Sequence, residues 1–530
     1  MFVKKKSIKN ILALSITLSL SSVILTGCNK AAETESEVSK PNIVKTNDKP
    51  NIVIFYVDDL GYGDVGSYGA KGVETPNVDE LAQNGIRFTD AHSSAATCTP
   101  SRYSLLTGEY AFRQHASVLK GDAALIIPTD KPTLPSMLKK AGYSTAVVGK
   151  WHLGLGDGKS PIDWNGKVSP GPLEIGFDYS FLMPATGDRV PSVYLENHNV
   201  LNISQDDPIE VSYEHKVGIR PTGTENPELL RQAADPQHSN TIINGISRIG
   251  WMKGGVSAEW KDEDFYKVFT NMANFFIEDN KENPFFLFFS FHDIHVPRLP
   301  NDMFKGKSTM GVRGDAIAQM DWITGEVVNK LKAEGLLENT LIIFTSDNGP
   351  VLTDGYDDEA MEKLGDHKPS GDFKGGKYSA YEAGTRVPTI VHYPAKVKAG
   401  TSNTLMSQVD IYASLAKLVN VDLSKEEAID SKNFLNAWLD ASAEGRTELI
   451  EESHTLSLRT KEWKYISPSS VKGEWITNMK NIESGLSPIP QLFNLAEDKS
   501  EQNNIALQHK ADVAKYQQRI DEIKAQTYRN

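Results

Sequence analysis

The sequence predicts an α/β protein: a large central, mostly parallel sheet sandwiched by helices, followed by a smaller C-terminal α+β subdomain with a short antiparallel sheet. Three observations predict it. Apolar runs of strand length alternate with amphipathic stretches of helix length, the pattern of a sheet buried on both faces. Four of those runs lead directly into polar residues, as strands do when their carboxyl ends face a ligand crevice. From about residue 447 the texture changes to short strand-like segments. A chain of 530 residues is long enough for one large α/β domain and a companion.

The strands are expected at 51–57, 145–148, 285–291 and 341–345, and helices at 77–84, 134–141, 264–280 and 314–334. In the last helix Ile317, Met320, Ile323, Val327 and Leu331 recur at helical spacing. The Pro- and Gly-rich stretch 154–191 and the loop 199–257 read as insertions that shape a surface. Segments 456–460, 463–467 and 491–495 read as antiparallel strands closed by a polar helix at 510–524. These features divide the chain into a catalytic domain, 50–446, and a C-terminal subdomain, 447–530.

Two further segments precede them. Lys4, Lys5, Lys6 and Lys9 stand ahead of an apolar, Ser- and Thr-containing stretch that ends in Leu25-Thr26-Gly27-Cys28. This is the layout of an export signal, too short for a confident membrane span. Leu-Thr-Gly-Cys resembles the bacterial lipobox, in which Cys28 becomes the lipidated first residue. Residues 1–27 then form a lipoprotein signal peptide, and 28–49 the lipidated cysteine and a flexible polar tether. The expected product is an exported bacterial lipoprotein, in the periplasm or at the cell surface, that meets the membrane through lipid alone.

Charge and cysteine content narrow the function. Removing the four leader lysines takes the formal net charge from −13 to −17. This argues against a nucleic-acid binder, and an anionic substrate has to be drawn in by a local basic cluster. Cys28 and Cys98 are the two cysteines. With Cys28 assigned to lipid, no disulfide framework is available to an exported protein that could have had one. Cys98 is left without a partner.

The chemistry gathers at the strand ends. Segment 51–57 runs into Asp58-Asp59, and 341–345 runs through Ser346 into Asp347-Asn348. Segment 145–148 leads to Lys150 and His152, and 285–291 leads to His292 and His295. Asp58, Asp59, Asp347 and Asn348 offer hard oxygen ligands that repel one another unless a cation sits between them. Such a set suits calcium or magnesium and disfavours zinc. Pro100 and Ser101 ahead of Tyr103-Ser104-Leu105-Leu106 suit a helix start, which puts Cys98 at a helix N-terminus where anions are favoured.

Cys98-Thr99-Pro100-Ser101-Arg102, followed by Thr107-Gly108, resembles the signature of the formylglycine-dependent sulfatases of the alkaline-phosphatase-like superfamily. The resemblance extends from residue 51 to about 506. It takes in Asp58-Asp59-Leu60-Gly61, Gly149-Lys150-Trp151-His152, His295-Val296-Pro297, Ser346-Asp347-Asn348-Gly349, Gly375-Gly376-Lys377 and Tyr381-Glu382-Ala383-Gly384-Thr385-Arg386. Ala383 stands where the family usually has glycine.

The resemblance implies that a maturation enzyme oxidises Cys98 to formylglycine (3-oxoalanine), whose hydrate attacks sulfur. It implies one calcium ion on Asp58, Asp59, Cys98, Asp347 and Asn348. Arg102, Lys150 and Lys377 then hold the sulfate and the hydrate, His152 assists breakdown of the intermediate, and His295 protonates the leaving oxygen. Asp188, Arg189, His292, His367 and Lys374 are candidate substrate contacts. The expected substrate is a sulfated poly- or oligosaccharide. The alternatives are a phosphodiesterase or phosphonate monoester hydrolase of the same superfamily, or a non-catalytic glycan-binding lipoprotein.

Overall fold

A computed structural model describes residues 49–529. The export signal, the tether up to residue 48 and Cys28 lie outside the described residues. Ten strands form the main sheet: β1 (Asn51–Val57), β2 (Ile86–Phe88), β3 (Ser144–Lys150), β4 (Tyr179–Met183), β5 (Leu195–Glu196), β6 (Asn199–Val200), β7 (Phe285–Ser290), β8 (Thr340–Ser346), β9 (Thr389–His392) and β10 (Gly400–Ser402). Their order is β10-β2-β9-β8-β1-β7-β3-β4-β5-β6. The middle five, β8-β1-β7-β3-β4, are all parallel. β9 and β5 run antiparallel to their inner neighbours on either side.

The parallel centre explains why its strands are apolar runs rather than alternating ones. In β1, Ile52, Ile54 and Tyr56 enter one core, and Val53, Phe55 and Val57 enter the other. Helices α1 (Pro76–Gln83), α4 (Phe265–Asn280) and α5 (Gly311–Ala333) cover the second face; α2 (Cys98–Thr107), α3 (Leu134–Lys140) and α6 (Ile411–Leu418) cover the first. Helix α4 buries one stripe, Phe269, Ala273, Phe276 and Ile277, whereas every residue of α2 is buried. Among the described residues no helix is long and apolar enough to cross a membrane.

One reading needs correction. The stretch 154–191 is not simply an insertion, because it contains β4, a strand of the parallel centre. Its flanking Pro and Gly obscured a five-residue strand whose last four residues are buried. A separate antiparallel sheet near the C-terminus holds β11 (Glu448–Glu452), β12 (Leu456–Thr460), β13 (Trp463–Ile466) and β14 (Gln491–Asn494). The last helix, Lys510–Ala525, packs on it through Ile520 and Ile523.

Candidate active site

The carboxyl ends of β1, β8, β3 and β7 converge, and with them the polar residues that follow each strand. Two glycines make the approach possible. Gly149 has φ +111°, and a Cβ there would stand 1.8 Å from the Ser290 carbonyl oxygen of β7. Gly349 lets the turn after β8 meet the 381–384 segment, where a Cβ would stand 1.7 Å from the Ala383 carbonyl oxygen. Asp59 and His152 both adopt left-handed backbone, with φ of 61° and 55°. Non-glycine residues held this way cluster at functional sites, where the surroundings over-determine them.

At the bottom lie Asp58, Asp59, Asp347 and Asn348, all fully buried. Carboxylate oxygens of the three aspartates lie within 4.8 Å of one another. Three buried cations face them. Arg102 gives two hydrogen bonds to Asp347 Oδ2, at 2.7 and 3.0 Å, and a third to Ser290 Oγ. Lys150 pairs with Asp58, and Lys377 Nζ sits 2.9 Å from Asp59 Oδ2 and 3.0 Å from Asp354 Oδ2.

These pairings leave an unbalanced field. Burial, then the neighbouring Asp347, pushes the Asp58 carboxyl well above the usual carboxylate range despite Lys150. Burial also raises Asp59, against the pull of Lys377. For Asp347 burial acts upward too, but Arg102 and the two lysines outweigh it and hold the group down. Asp58 Oδ1 and Asn348 Oδ1 are buried without a hydrogen-bond partner. Unsatisfied hard oxygens beside carboxylates that resist ionisation are what a divalent cation would relieve, so the donor set fits one.

Cys98 is the first residue of α2, as the sequence predicts, and is 2 % exposed. Burial pushes its thiol up to about 11, so the unmodified side chain is a protonated thiol rather than a nucleophilic thiolate. Its sulfur, an Asp58 oxygen and a His295 nitrogen lie within 4.8 Å of one another. The segment ahead of it is held by the C-terminal sheet: Ala96 N donates to Glu452 O of β11 at 2.9 Å, and Glu452 N to Ser94 O at 3.1 Å.

Above the cluster opens a cavity of about 550 Å³, lined by Cys98, His152, Asp188, Arg189, His295 and Lys377. The tautomers of both histidines follow from their backbone partners. His152 Nε2 donates to Leu119 O at 2.9 Å, leaving its buried Nδ1 free of any partner. His295 Nδ1 donates to Val296 O at 2.6 Å, which turns Nε2 towards Asp59, 3.8 Å away. Burial and nearby cations, Lys150 and Arg189 for His152 and Lys377 and Lys150 for His295, hold both imidazoles well below the ordinary histidine range.

Asp188 and Arg189 form a close ion pair at 2.7 Å on the cavity wall. Three other expected contacts are not on it. His367 bonds Asp64 Oδ1 at 2.8 Å, beside the Arg313–Asp64 pair, and braces the turn after β1. Lys374 lies 4.3 Å over the Tyr381 ring and 3.3 Å from the Glu501 carbonyl. His292 is packed edge-on against Phe265 and under Gly187. In each case closeness in sequence to a motif did not put the side chain on the cavity side.

The cavity also contains residues the sequence analysis did not single out. Asp354 accepts from Lys377, Tyr378 and Lys480. His238 sits between Asp188 and Asp235, whose hydrogen bonds overcome burial and raise it to about 9. His454, Trp475 and Lys480 come from the C-terminal part of the chain. None of them lies in a motif; only the acidic position of Asp354, in the loop after β8, offered a signal.

Comparison with known proteins agrees with this arrangement. Residues 50–421 match the Sulfatase family model. An N-acetylgalactosamine-6-O-sulfatase from Bacteroides thetaiotaomicron is 49 % identical over 505 residues, covering 94 % of this chain and 97 % of the relative. A solved Bacteroides thetaiotaomicron protein, reported in work on the metabolism of multiple glycosaminoglycans, is 50 % identical. It superposes with a TM-score of 0.88, over 90 % of this chain and all of that one. The PsFucS1 sulfatase from Pseudoalteromonas sp. is 26 % identical, with a TM-score of 0.65 over 90 % of each chain. A match of this extent, over a fold whose strand ends assemble such a site, makes the chain a member of the sulfatase family and a sulfuric ester hydrolase.

Proposed function

We propose that this protein removes the 6-O-sulfate of N-acetylgalactosamine in glycosaminoglycan fragments, with Cys98 matured to formylglycine and calcium as the bound cation. The observation that carries the reaction is the position of Cys98 between the carboxylate cluster and the two neutral histidines of the cavity. The full-length relative, an N-acetylgalactosamine-6-O-sulfatase, supports the sugar.

A cation held by Asp58, Asp59, Asp347 and Asn348 would supply Lewis acidity at the sulfate oxygens and ease deprotonation of the attacking hydroxyl. Lys377 and Lys150 lie where they can offset charge on the sulfuryl group. One hydroxyl of the residue-98 hydrate gives its proton to the neighbouring Asp58 carboxylate and attacks sulfur as the bond from sulfur to the sugar oxygen breaks. His295 gives the leaving oxygen a proton; with Nδ1 committed to Val296, that proton comes from Nε2 of the imidazolium. An arriving sulfate raises the affinity of His295 for that proton. The free Nδ1 of His152 takes the proton of the second hydroxyl. The carbonyl re-forms as the carbon–oxygen bond to sulfate breaks, and sulfate leaves with the electron pair.

Two measurements test this reading. The peptide containing residue 98, taken from active protein, should show an aldehyde in place of the thiol by mass spectrometry; full activity with unmodified Cys98 would refute it. Purified protein should release sulfate from N-acetylgalactosamine 6-sulfate and not from the 4-sulfate. We further propose export and lipid anchoring through Cys28; Cys28→Ala should release the protein from the membrane fraction.

A further inference from the structure

The family model ends at residue 421, yet one wall of the cavity comes from beyond it. That wall holds Trp475, on the short helix α7 (Glu474–Lys480), and His454, with Tyr378 of the catalytic part beside them. Trp475 meets Tyr378 at 5.2 Å between ring centres and 64°, and His454 at 5.9 Å and 88°. The three rings meet edge to face and line the same cavity as Cys98.

This surface is fixed from behind. Ile476, next along α7, is buried with Val351 and Ile482. At the far end of α7, Lys480 Nζ sits 2.6 Å from Asp354 Oδ1, and the other oxygen of Asp354 binds Lys377. Tyr378 and His454 both hold left-handed backbone, with φ of 71° and 48°. Tyr378 is held at both ends, its hydroxyl donating to Asp354 Oδ2 at 3.1 Å and its N–H to Ala96 O at 2.8 Å, so the ring against the half-buried tryptophan is fixed. The same cavity is also lined by the polar and charged Asp188, Arg189 and His238.

We propose that Trp475 is a stacking platform for the pyranose ring of the substrate and a determinant of sugar selectivity. This rests on the proposed substrate. A galacto-configured sugar has its axial O4 on one face and a patch of C–H groups on the other. The C–H face lies on Trp475, and the hydroxyl-bearing face turns to the Asp188–Arg189 wall. A gluco-configured sugar, with equatorial O4, presents a less continuous C–H patch. Because the platform is held rigid before binding, little ordering is required when the sugar arrives.

The test uses matured, calcium-loaded protein with Trp475→Ala and Trp475→Phe, assayed on N-acetylgalactosamine 6-sulfate and on nitrophenyl sulfate. Removing the platform should raise KM for the sugar about 3- to 10-fold, the size expected for one aromatic contact. kcat and the aryl sulfate kinetics should stay within twofold, and Trp475→Phe should restore most of the loss. An unchanged sugar KM in Trp475→Ala overturns the proposal. So does an equal loss of kcat on both substrates with a lowered melting temperature, which would make Trp475 a packing residue for Tyr378 and Lys377. Inactivity of the unaltered protein on N-acetylgalactosamine 6-sulfate, with activity on another sulfated sugar, would instead refute the substrate reading.

Discussion

Arg102 and Asp347 are each fully buried, and the pair carries a sharp prediction about stability. Replacing Arg102 with Met removes both hydrogen bonds to Asp347 Oδ2. Asp347 then keeps one hydrogen bond, from the Asp59 N–H 3.3 Å from Oδ1, and the charges of Lys150 and Lys377 without direct contact, in a site already crowded with carboxylates. Breaking a buried pair from one side costs about 3–5 kcal/mol, because a charge is left without compensation. At about 2.1 cal/mol/K per residue, unfolding a chain of this length has an entropy of about 1 kcal/mol/K, so the melting temperature should drop by about 3–5 °C. Asp347→Leu should lose a similar amount, since it leaves the guanidinium only Asp58, 3.9 Å away, as a counter-charge. The double variant should be more stable than the sum of the two losses predicts, because no lone charge remains. The assay is thermal unfolding in chelator, where no bound cation shares Asp347. Strict additivity of the two losses would show that the pair is not a coupled unit, and the electrostatic reading of the site would fall with it.

Three other outcomes follow from the same geometry. His295→Ala should impair release of a sugar alcohol far more than release of a nitrophenolate, because general-acid assistance is worth about 10²–10⁴-fold and matters least for an acidic leaving group; equal losses on both substrates would make His295 a sulfate binder. Burial and then Lys150 lower His292 from 6.5 to about 4, so the folded state binds fewer protons than the unfolded one between those values. Its contribution is therefore complete above pH 6.5 and falls away as pH drops towards 4, by about 3 kcal/mol. His292→Phe should flatten the acid side of the stability profile relative to the unaltered protein, and parallel profiles would show that the imidazole is not held neutral. Exhaustive chelation should abolish turnover, and calcium should restore it better than magnesium; turnover at verified zero metal content would exclude the cation.

Much of the central sheet was legible in the amino-acid order because burial on both faces leaves a simple mark. The runs at 51–57, 285–291 and 341–345 coincide with β1, β7 and β8 to within a residue at each end. The rule that ligands gather outside strand carboxyl ends then placed Asp58, Lys150, His295 and Asp347 together without a contact map. β4 escaped notice because its strand is short and hidden among turn residues. The two-residue strands β5 and β6 carry too few side chains for any periodicity to register.

Sequence by itself determined the parallel α/β core, the motif-borne nucleophile and the acidic strand ends, because each depends on local pattern or on residues adjacent in the chain. Tertiary structure alone decided which side chains face the cavity. His367 and Lys374 adjoin motifs but are held by Asp64 and by the Tyr381 ring, whereas Trp475 and Lys480 reach the cavity from a helix roughly a hundred residues beyond Lys377. Such convergence depends on how the C-terminal sheet docks beside the nucleophile, through the backbone bonds between Glu452 and the 94–96 segment. Backbone hydrogen bonds of this kind are available to any residue, so they leave no trace in the sequence.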